Sequence, residues 1–464
     1  MASASRLLRP WRVLGLLLVT SSALFACTCS NNSSNTAGSG GGGDSGPDAS
    51  GDAGPDAPPD ARPDAPPDAI ADANGMTVVP QWQTIPGKVA ECEIQRLVNS
   101  AQLQVFEWEP CEGIERCERT KTNKNVFSDA HGAGWKGTSV VSDDDGVTRL
   151  GLVAGDPAQS SMAVYFATDE GQALGGFRPL GSDLCMPAVA IRGARRATAV
   201  AVLPDGKPFR FGGILDTFDG APPVLFDVPS GQMGAPSVKA LGDERWVWDW
   251  VMPERLTSVR ASDGSDFQQF VKVQYDGPMV GVAYTVTTGP LFLFSELFVD
   301  QDAGTVTRII ASSDGVGAPT AYLVPSDDSF FFSPGFTGTH LGWVRGIHPT
   351  DTNTFERVEL WATAYSPNPA DLQPYKVDDL PYEFGSTHYV AADGKYAAAY
   401  PLNEAELTNG EIIWDLATKA KQVIDLGPNL AVRSHYGLTK DYVWLGTAPP
   451  HSAADKWMMR LKLE

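Results

Sequence analysis

Two histidines stand at comparable points of the chain and have side chains able to do chemistry. His131, in SDAHGAGW, and His388, in STHYVAADG, each precede a segment that is typical of a β-strand. Histidine can move protons or ligate a metal near neutral pH, so two such residues facing one channel could bind a ligand. The alternative, which we favour, is that each histidine makes the same structural hydrogen bond at the start of its blade.

Three tryptophans occur at alternate positions in the segment RWVWDWVM. Strand geometry places Trp246, Trp248 and Trp250 on one face, where their indoles would form a stacking platform for a sugar. Large aromatic side chains also fill the space between packed sheets. The sequence favours this packing role and keeps ligand binding as the alternative.

Motifs that usually carry catalysis are missing from the sequence. The chain contains no G-x-S-x-G elbow, no glycine-rich phosphate loop and no H-E-x-x-H. The acidic run Asp143–Gly146 lacks the spacing of a calcium loop. We therefore expect no catalytic set, no metal and no cofactor, and we favour a protein that is not an enzyme.

Cysteine usage predicts disulfides. Four cysteines lie beyond the first 30 residues, and an even number in an exported domain is typical of two bridges. The segment CEGIERC closes a small loop easily, which favours one of the three possible pairings. A zinc site is the weaker alternative because the sequence has no C-x-x-C pair. The favoured pairs are Cys111–Cys117 and Cys92–Cys185.

Short β-branched or aromatic segments dominate residues 76–464 and predict an all-β fold. Segments such as QQFVKVQY and RVELWATAY alternate with turn dipeptides such as Asp314-Gly315 and Asp393-Gly394. The best candidate for a helix is EIQRLVNSAQL, near Glu93.

The strands group in fours with a period typical of a β-propeller. Six groups leave three strands at the C-terminus and one, TVVPQWQTI at residues 77–85, at the start. We therefore predict a seven-bladed propeller closed by an N-terminal strand that joins the C-terminal blade, with a pair of β-sandwiches as the alternative. The six groups are 132–178, 182–228, 236–275, 279–325, 328–377 and 387–426.

One of these groups has a specific resemblance. The segment VAADGKYAAAYPL, followed by GEIIWDLATKAKQVIDL, resembles a blade of the WD40-like or TolB-like propellers. Its Trp414-Asp415 dipeptide follows a hairpin at Asp393-Gly394. The resemblance implies a propeller without assigning a subfamily.

The N-terminus predicts a lipid anchor. Three arginines precede the short apolar run VLGLLLVTSSALF, and LFAC at residues 24–27 resembles the lipobox of bacterial lipoproteins. The resemblance implies that residues 1–26 are a signal peptide and that Cys27 carries the lipid. Two or more acyl chains would attach the protein stably to a membrane.

A tether follows the predicted anchor. Residues 27–75 begin with a Gly/Ser/Asn tract and continue with Asp at every fourth position among prolines. The prolines exclude a helix and favour polyproline II, about 3.1 Å per residue, so the Asp repeat reaches about 90 Å. The propeller is expected over residues 76–464, with a Cys-containing insertion near 89–130.

Charge limits the partners. The chain carries a net charge of −21. Leaving out the three signal arginines, and then the eight aspartates and one arginine of the spacer, gives a net charge of −17 for residues 75–464. This surface repels nucleic acid and anionic lipid headgroups. We therefore expect a binding or scaffold protein of the bacterial cell envelope, at the outer membrane or cell surface, facing the periplasm or the exterior. Its ligand would be a protein, a peptide or a glycan. The alternative is an extracytoplasmic hydrolase or lyase that uses residues facing the channel.

Overall fold

The computed structural model describes most of the chain beyond residue 77. Within that part, the chain is almost wholly β-strand, with 3-10 turns at Ser100–Gln102 and Pro369–Asp371. No helix of this part is long and apolar enough to span a bilayer. The described residues are 78–122, 137–142, 147–156, 161–181, 185–192, 195–202, 210–217, 220–228, 233–252, 254–270, 279–287, 291–300, 305–317, 319–349, 355–380, 389–392, 394–401, 408–449 and 457–463.

The first half of the chain supplies an N-terminal segment and the first three blades. The segment holds two hairpins, and each blade then uses four consecutive antiparallel strands. The strands are β1 (Trp82–Val89), β2 (Cys92–Leu97), β3 (Phe106–Pro110), β4 (Cys117–Thr122), β5 (Gly137–Ser142), β6 (Thr148–Asp156), β7 (Ser161–Thr168), β8 (Ala173–Leu180), β9 (Cys185–Arg192), β10 (Arg195–Val202), β11 (Arg210–Thr217), β12 (Val224–Asp227), β13 (Met233–Leu241), β14 (Arg245–Met252), β15 (Glu254–Arg260) and β16 (Gln268–Phe270).

The second half supplies blades 4 to 6 and three strands of blade 7. These strands are β17 (Met279–Thr287), β18 (Phe292–Asp300), β19 (Thr305–Ser313), β20 (Thr320–Leu323), β21 (Phe330–Phe336), β22 (His340–Pro349), β23 (Phe355–Ala364), β24 (Tyr375–Leu380), β25 (Tyr389–Ala392), β26 (Lys395–Pro401), β27 (Thr408–Asp415), β28 (Lys421–Asp425), β29 (Ala431–Leu438), β30 (Tyr442–Ala448) and β31 (Trp457–Lys462).

The seven blades form a closed ring. The first strand of each blade contacts the first strand of the next, in the order β5, β9, β13, β17, β21, β25 and β29, and β29 contacts β5 again. The prediction of a seven-bladed propeller is confirmed, and a pair of sandwiches does not describe the fold. The predicted strand groups correspond closely to the observed blades.

Antiparallel order gives the ring two different faces. The connections between first and second strands, and between third and fourth strands, lie at one end, which we call the turn face. The other connections lie at the opposite end, the loop face. At the turn face of four blades, the residue after the third strand donates its N–H to the first turn: Ala261 to Glu244, Tyr365 to Thr339, Leu416 to Gly394 and Leu463 to Asp441, at 2.7–2.9 Å.

The core of the molecule is divided among the junctions between blades. The seven apolar clusters of described side chains each occupy one junction. Burying apolar area contributes roughly 25 cal/mol per Å², so each junction stabilises two blades at once. Among the described side chains, no apolar cluster is confined to a single blade.

Ring closure uses a different strand from the predicted one. Strand β4 pairs with β31 and completes blade 7, and β3 adds a fifth strand outside it. The predicted closing segment, residues 77–85, instead overlaps the start of β1, which pairs with β2 in the sheet of blade 1. Both segments are strand-like, and the choice between them depends on which edge each one reaches in space.

The predicted helix near Glu93 is also wrong. The segment forms β2, which pairs with the outer strand β8 of blade 1, and ends in a single 3-10 turn. Cys92 and Ile94 are buried at alternate positions, as strand geometry requires, and β8 supplies the backbone hydrogen-bond partners of β2. The described part of the segment near 89–130, where a Cys-containing insertion was expected, supplies strands to blades 1 and 7.

Two disulfides fasten this N-terminal segment. Cys92–Cys185 joins β2 to the first strand of blade 2, with Cα atoms 6.4 Å apart. Cys111–Cys117 closes the β3–β4 hairpin, with Cα atoms 5.3 Å apart. Both favoured pairings are present in the structure.

We predict that the two disulfides contribute unequally to stability. Their cysteines are 93 and 6 residues apart, and a bridge that closes a longer loop removes more entropy from the unfolded chain. Replacing Cys92 and Cys185 by Ser should cost roughly 2 kcal/mol more than replacing Cys111 and Cys117. Chemical unfolding of the two double variants measures this difference, and equal losses would contradict the prediction.

Candidate functional site

Several residues with predicted roles lie outside the described residues. These are Cys27, His131 and His388. Trp250 lies in β14, where its backbone pairs with Pro236 and Arg255, but its side chain is outside the described part. Their roles stay predictions.

Trp246 and Trp248 lie inside the junction between blades 2 and 3. Both side chains are fully buried, with ring centroids 5.5 Å apart. Phe211 of blade 2 packs 5.1 Å from Trp248. The shared face predicted by strand alternation is present, and in this position the indoles pack a junction.

Charged side chains are buried in other junctions between blades, where the sequence analysis did not place them. Arg196 of β10 is 2 % exposed and donates from Nε to Asp216 Oδ2 at 2.8 Å. Its guanidinium lies 4.9 Å from the ring of Phe166 in blade 1. Burial lowers the pKa of Arg196, and the nearby carboxylate of Asp216 opposes that shift. Through these contacts Arg196 joins blade 2 to blade 1.

A second buried arginine lies where the ring closes. Arg460 of β31 is 5 % exposed and donates from Nε to Glu118 Oε2 of β4 at 2.6 Å. It also donates to the carbonyl of Asp169 at 3.2 Å and to Glu170 at 3.2 Å, both in the β7–β8 turn of blade 1. One side chain thus joins blade 7, the closing hairpin and blade 1.

Aromatic rings enclose the guanidinium of Arg460. The ring centroids of Trp108, Tyr442 and Trp444 lie 4.3, 4.9 and 5.7 Å from Cζ of Arg460. Trp108 also donates its indole N–H to the carbonyl of Asp169 at 2.7 Å. Cation–π attraction is stronger in such a desolvated position than at a surface, so these rings help to stabilise the buried guanidinium.

A buried imidazole–carboxylate pair occupies the junction between blades 6 and 7. His435 Nε2 of β29 lies 3.0 and 2.9 Å from the two carboxylate oxygens of Glu411 in β27. The side chains are 2 % and 0 % exposed. Burial raises the pKa of the Glu411 carboxyl, and the nearby His435 opposes this rise. The pair can hold a proton, but its burial separates it from solvent-borne molecules.

These groups were missed because their partners are distant in sequence. Glu411 and His435 are 24 residues apart, and Arg460 and Glu118 are 342 apart. One signal was available, since the segment TNGEIIWD places a carboxylate in a strand that is otherwise typical of a core. No group of three or more His, Cys, Asp or Glu that could hold a metal occurs among the described side chains.

The fold and these junctions define the molecule as an all-β, seven-bladed propeller. The sequence matches no protein-family model and no curated protein. Similar solved structures include an α-L-arabinanase of Penicillium chrysogenum, with 10% identity and a TM-score of 0.35 over 77% of this chain and 96% of that one. The β-propeller domain of the trilobed protease of Pyrococcus furiosus has 11% identity and a TM-score of 0.38 over 75% and 98%. Prolyl oligopeptidase B of Galerina marginata has 9% identity and a TM-score of 0.40 over 80% and 56%.

We predict that Arg460 stabilises ring closure. Arg460→Met should cost about 2 kcal/mol in the free energy of unfolding, because charged hydrogen bonds and ring contacts are lost together. Arg460→Lys should recover only part of this, since an ammonium group cannot reproduce the planar fork. Urea unfolding measures both variants.

The matched control is Lys462→Met, which alters an exposed cation on the same strand and should change the free energy of unfolding by no more than about 0.5 kcal/mol. A double-mutant cycle of Arg460→Met with Glu118→Gln isolates their coupling. Equal effects of Arg460→Met and Lys462→Met would show that Arg460 is not the closing contact.

Proposed function

We propose that this chain is a lipid-anchored, extracytoplasmic propeller that acts as a binding or scaffold protein for a protein, peptide or glycan. The observation that carries the proposal is the disulfide-fastened ring. Cys92–Cys185 and Cys111–Cys117 tie the N-terminal segment into the fold, and stable disulfides are typical of proteins that fold in oxidising compartments. The cell envelope is such a compartment.

The anchor follows from the sequence that precedes the ring. The lipobox-like LFAC ends at Cys27, and the Asp-containing spacer leads from there to the propeller. Hydrogen bonds hold the start of the described chain against the propeller. The Asn99 side chain accepts from the Gln81 N–H at 2.9 Å and donates to the carbonyl of Val79 at 2.9 Å. A tether of about 90 Å at full extension would let the propeller reach partners well away from the lipid.

The binding surface that we propose is the loop face. A closed ring fixes the ends of the connections between blades, so that these connections form one surface on a rigid support. Side chains such as Ser326, in the exposed link between β20 and β21, belong to this surface. The turn face is less suited to the role, because backbone hydrogen bonds repeated from blade to blade occupy its turns.

The hydrolase or lyase alternative needs an acid–base pair that a substrate can touch. Glu411 and His435 have the right chemistry, but they are 0 % and 2 % exposed. General acid–base catalysis requires hydrogen-bond reach of the reacting group. The buried pair therefore favours a structural role over a catalytic one.

We predict that Cys27 carries the lipid. Cys27→Ser should abolish incorporation of a fatty-acid analogue and release the protein from the membrane fraction, because the acyl chains provide the attachment. Cys29→Ser, two residues away, is the matched control and should remain labelled and membrane-bound. Absence of label on the unaltered protein would contradict the lipoprotein assignment.

We predict that the partner contacts the loop face. A photo-crosslinking residue at Ser326 should give adducts in intact cell envelopes, and one at Thr418, exposed on the turn face, should give few. Digestion of the adducts with protease or glycan hydrolase then separates the classes of partner. Adducts from Thr418 alone, or equally from both positions, would contradict the assignment of the binding face.

A further inference from the structure

The contact between Glu411 and His435 crosses a junction between blades. Glu411 belongs to the third strand of blade 6, and His435 belongs to the innermost strand of blade 7. The imidazole Nε2 lies within 3.0 Å of both carboxylate oxygens. Because both side chains are buried, the proton in this contact exchanges with solvent only when the junction opens.

Local backbone irregularities surround the histidine. The β29–β30 ladder shifts register between Val432 and Ser434 and again between His435 and Gly437. Such bulges rotate side chains away from the regular alternation of a strand. The innermost strand therefore departs from regular geometry at the residue that contacts Glu411.

The other charged groups on these strands have different partners or positions. On blade 6, Lys395 and Asp415 pair across neighbouring strands at the turn face, four residues from Glu411. On blade 7, Arg119 bonds to Glu109 at 2.7 Å, and Arg433 lies on the strand of His435. The charge that acts on the Glu411 carboxylate is that of His435.

Apolar side chains fill the remainder of this junction. They come from both blades and from the closing strand β4, and such an apolar environment disfavours an isolated charge. The cluster includes Ala397, Ile413, Ile424, Leu426, Val432, Leu445, Met459 and Cys117.

We infer that Glu411 and His435 form a pH-sensitive latch that holds blade 6 against blade 7 while the pair keeps a proton and loosens the junction when that proton is lost. Opening of the junction releases one proton. The closed junction holds it between carboxylate and imidazole. At pH values above about 6.5, where a solvated imidazole is neutral, the open junction releases it to water and leaves an ionised, solvated Glu411. The inference concerns regulation of the ring and is independent of the lipid anchor.

The direction of the pH effect follows from the carboxyl. Burial raises the pKa of Glu411 in the folded protein, above the value of about 4.3 in an unfolded chain. A group with a raised pKa stabilises the fold fully below its unfolded value, and this stabilisation is lost as the pH rises through the folded value. The junction should therefore weaken as the pH rises above neutrality.

Amide hydrogen exchange of β29 in the full-length mature protein tests the latch. Between about pH 7 and about pH 9, where a solvated imidazole is neutral, and after correction for intrinsic exchange, the opening constant of Ala431–Leu438 should rise. The rise is about tenfold per pH unit while opening releases one proton. Glu411→Gln keeps a polar group of similar shape without the titration, so its opening constant should be independent of pH.

An internal control covers the case in which Glu411→Gln fails to fold. Strand β9 lies at the junction with the Arg196–Asp216 ion pair, which contains no imidazole, and its exchange in the unaltered protein should change little over the same range. Equal pH dependence of β9 and β29, or an unchanged dependence in Glu411→Gln, would overturn the latch.

Discussion

Closure of the ring is the constraint on which the rest of this structure depends. Every apolar cluster lies between two blades, so an open ring would leave the first and last blades each with an uncovered face. The N-terminal segment prevents this by contributing side chains to three neighbouring junctions: Cys117 between blades 6 and 7, Phe106 between blades 7 and 1, and Ile94 between blades 1 and 2. Arg460 joins the parts at the centre of this closure, and the two disulfides limit how far they can separate.

Buried charge has two different uses in the ring. The Arg196–Asp216 and Arg460–Glu118 contacts involve arginine, which keeps its charge at all ordinary pH values. Their desolvation is offset by ionic hydrogen bonds and by aromatic rings beside the guanidinium. Burial raises the pKa of the Glu411 carboxyl, so the inferred latch depends on the proton that lies between Glu411 and His435. The Glu411–His435 contact lies in the junction between blades 6 and 7, to which the closing strand β4 also contributes.

A closed ring also explains how this fold would serve binding. The turns at one face are fixed by hydrogen bonds that recur from blade to blade, so the strands keep their positions while the connections at the other face are free to differ in sequence. A partner bound across several connections would contact elements from several blades. Its affinity would then depend on the integrity of the junctions, which links the stability of closure to the proposed function.

The sequence alone determined the class of fold and the approximate blade boundaries, because alternating strands and turn dipeptides act over short distances. It favoured, among three possible disulfide pairings, the one that the structure contains. It also indicated that Trp246 and Trp248 would pack between sheets. Tertiary structure decided which N-terminal strand closes the ring, since Trp82–Val89 and Cys117–Thr122 both have strand patterns and differ only in the edge that each one reaches. It also decided the pairing of Glu411 with His435 and of Arg460 with Glu118. Those contacts join residues that lie far apart in sequence, and only the closed ring brings them within hydrogen-bonding distance.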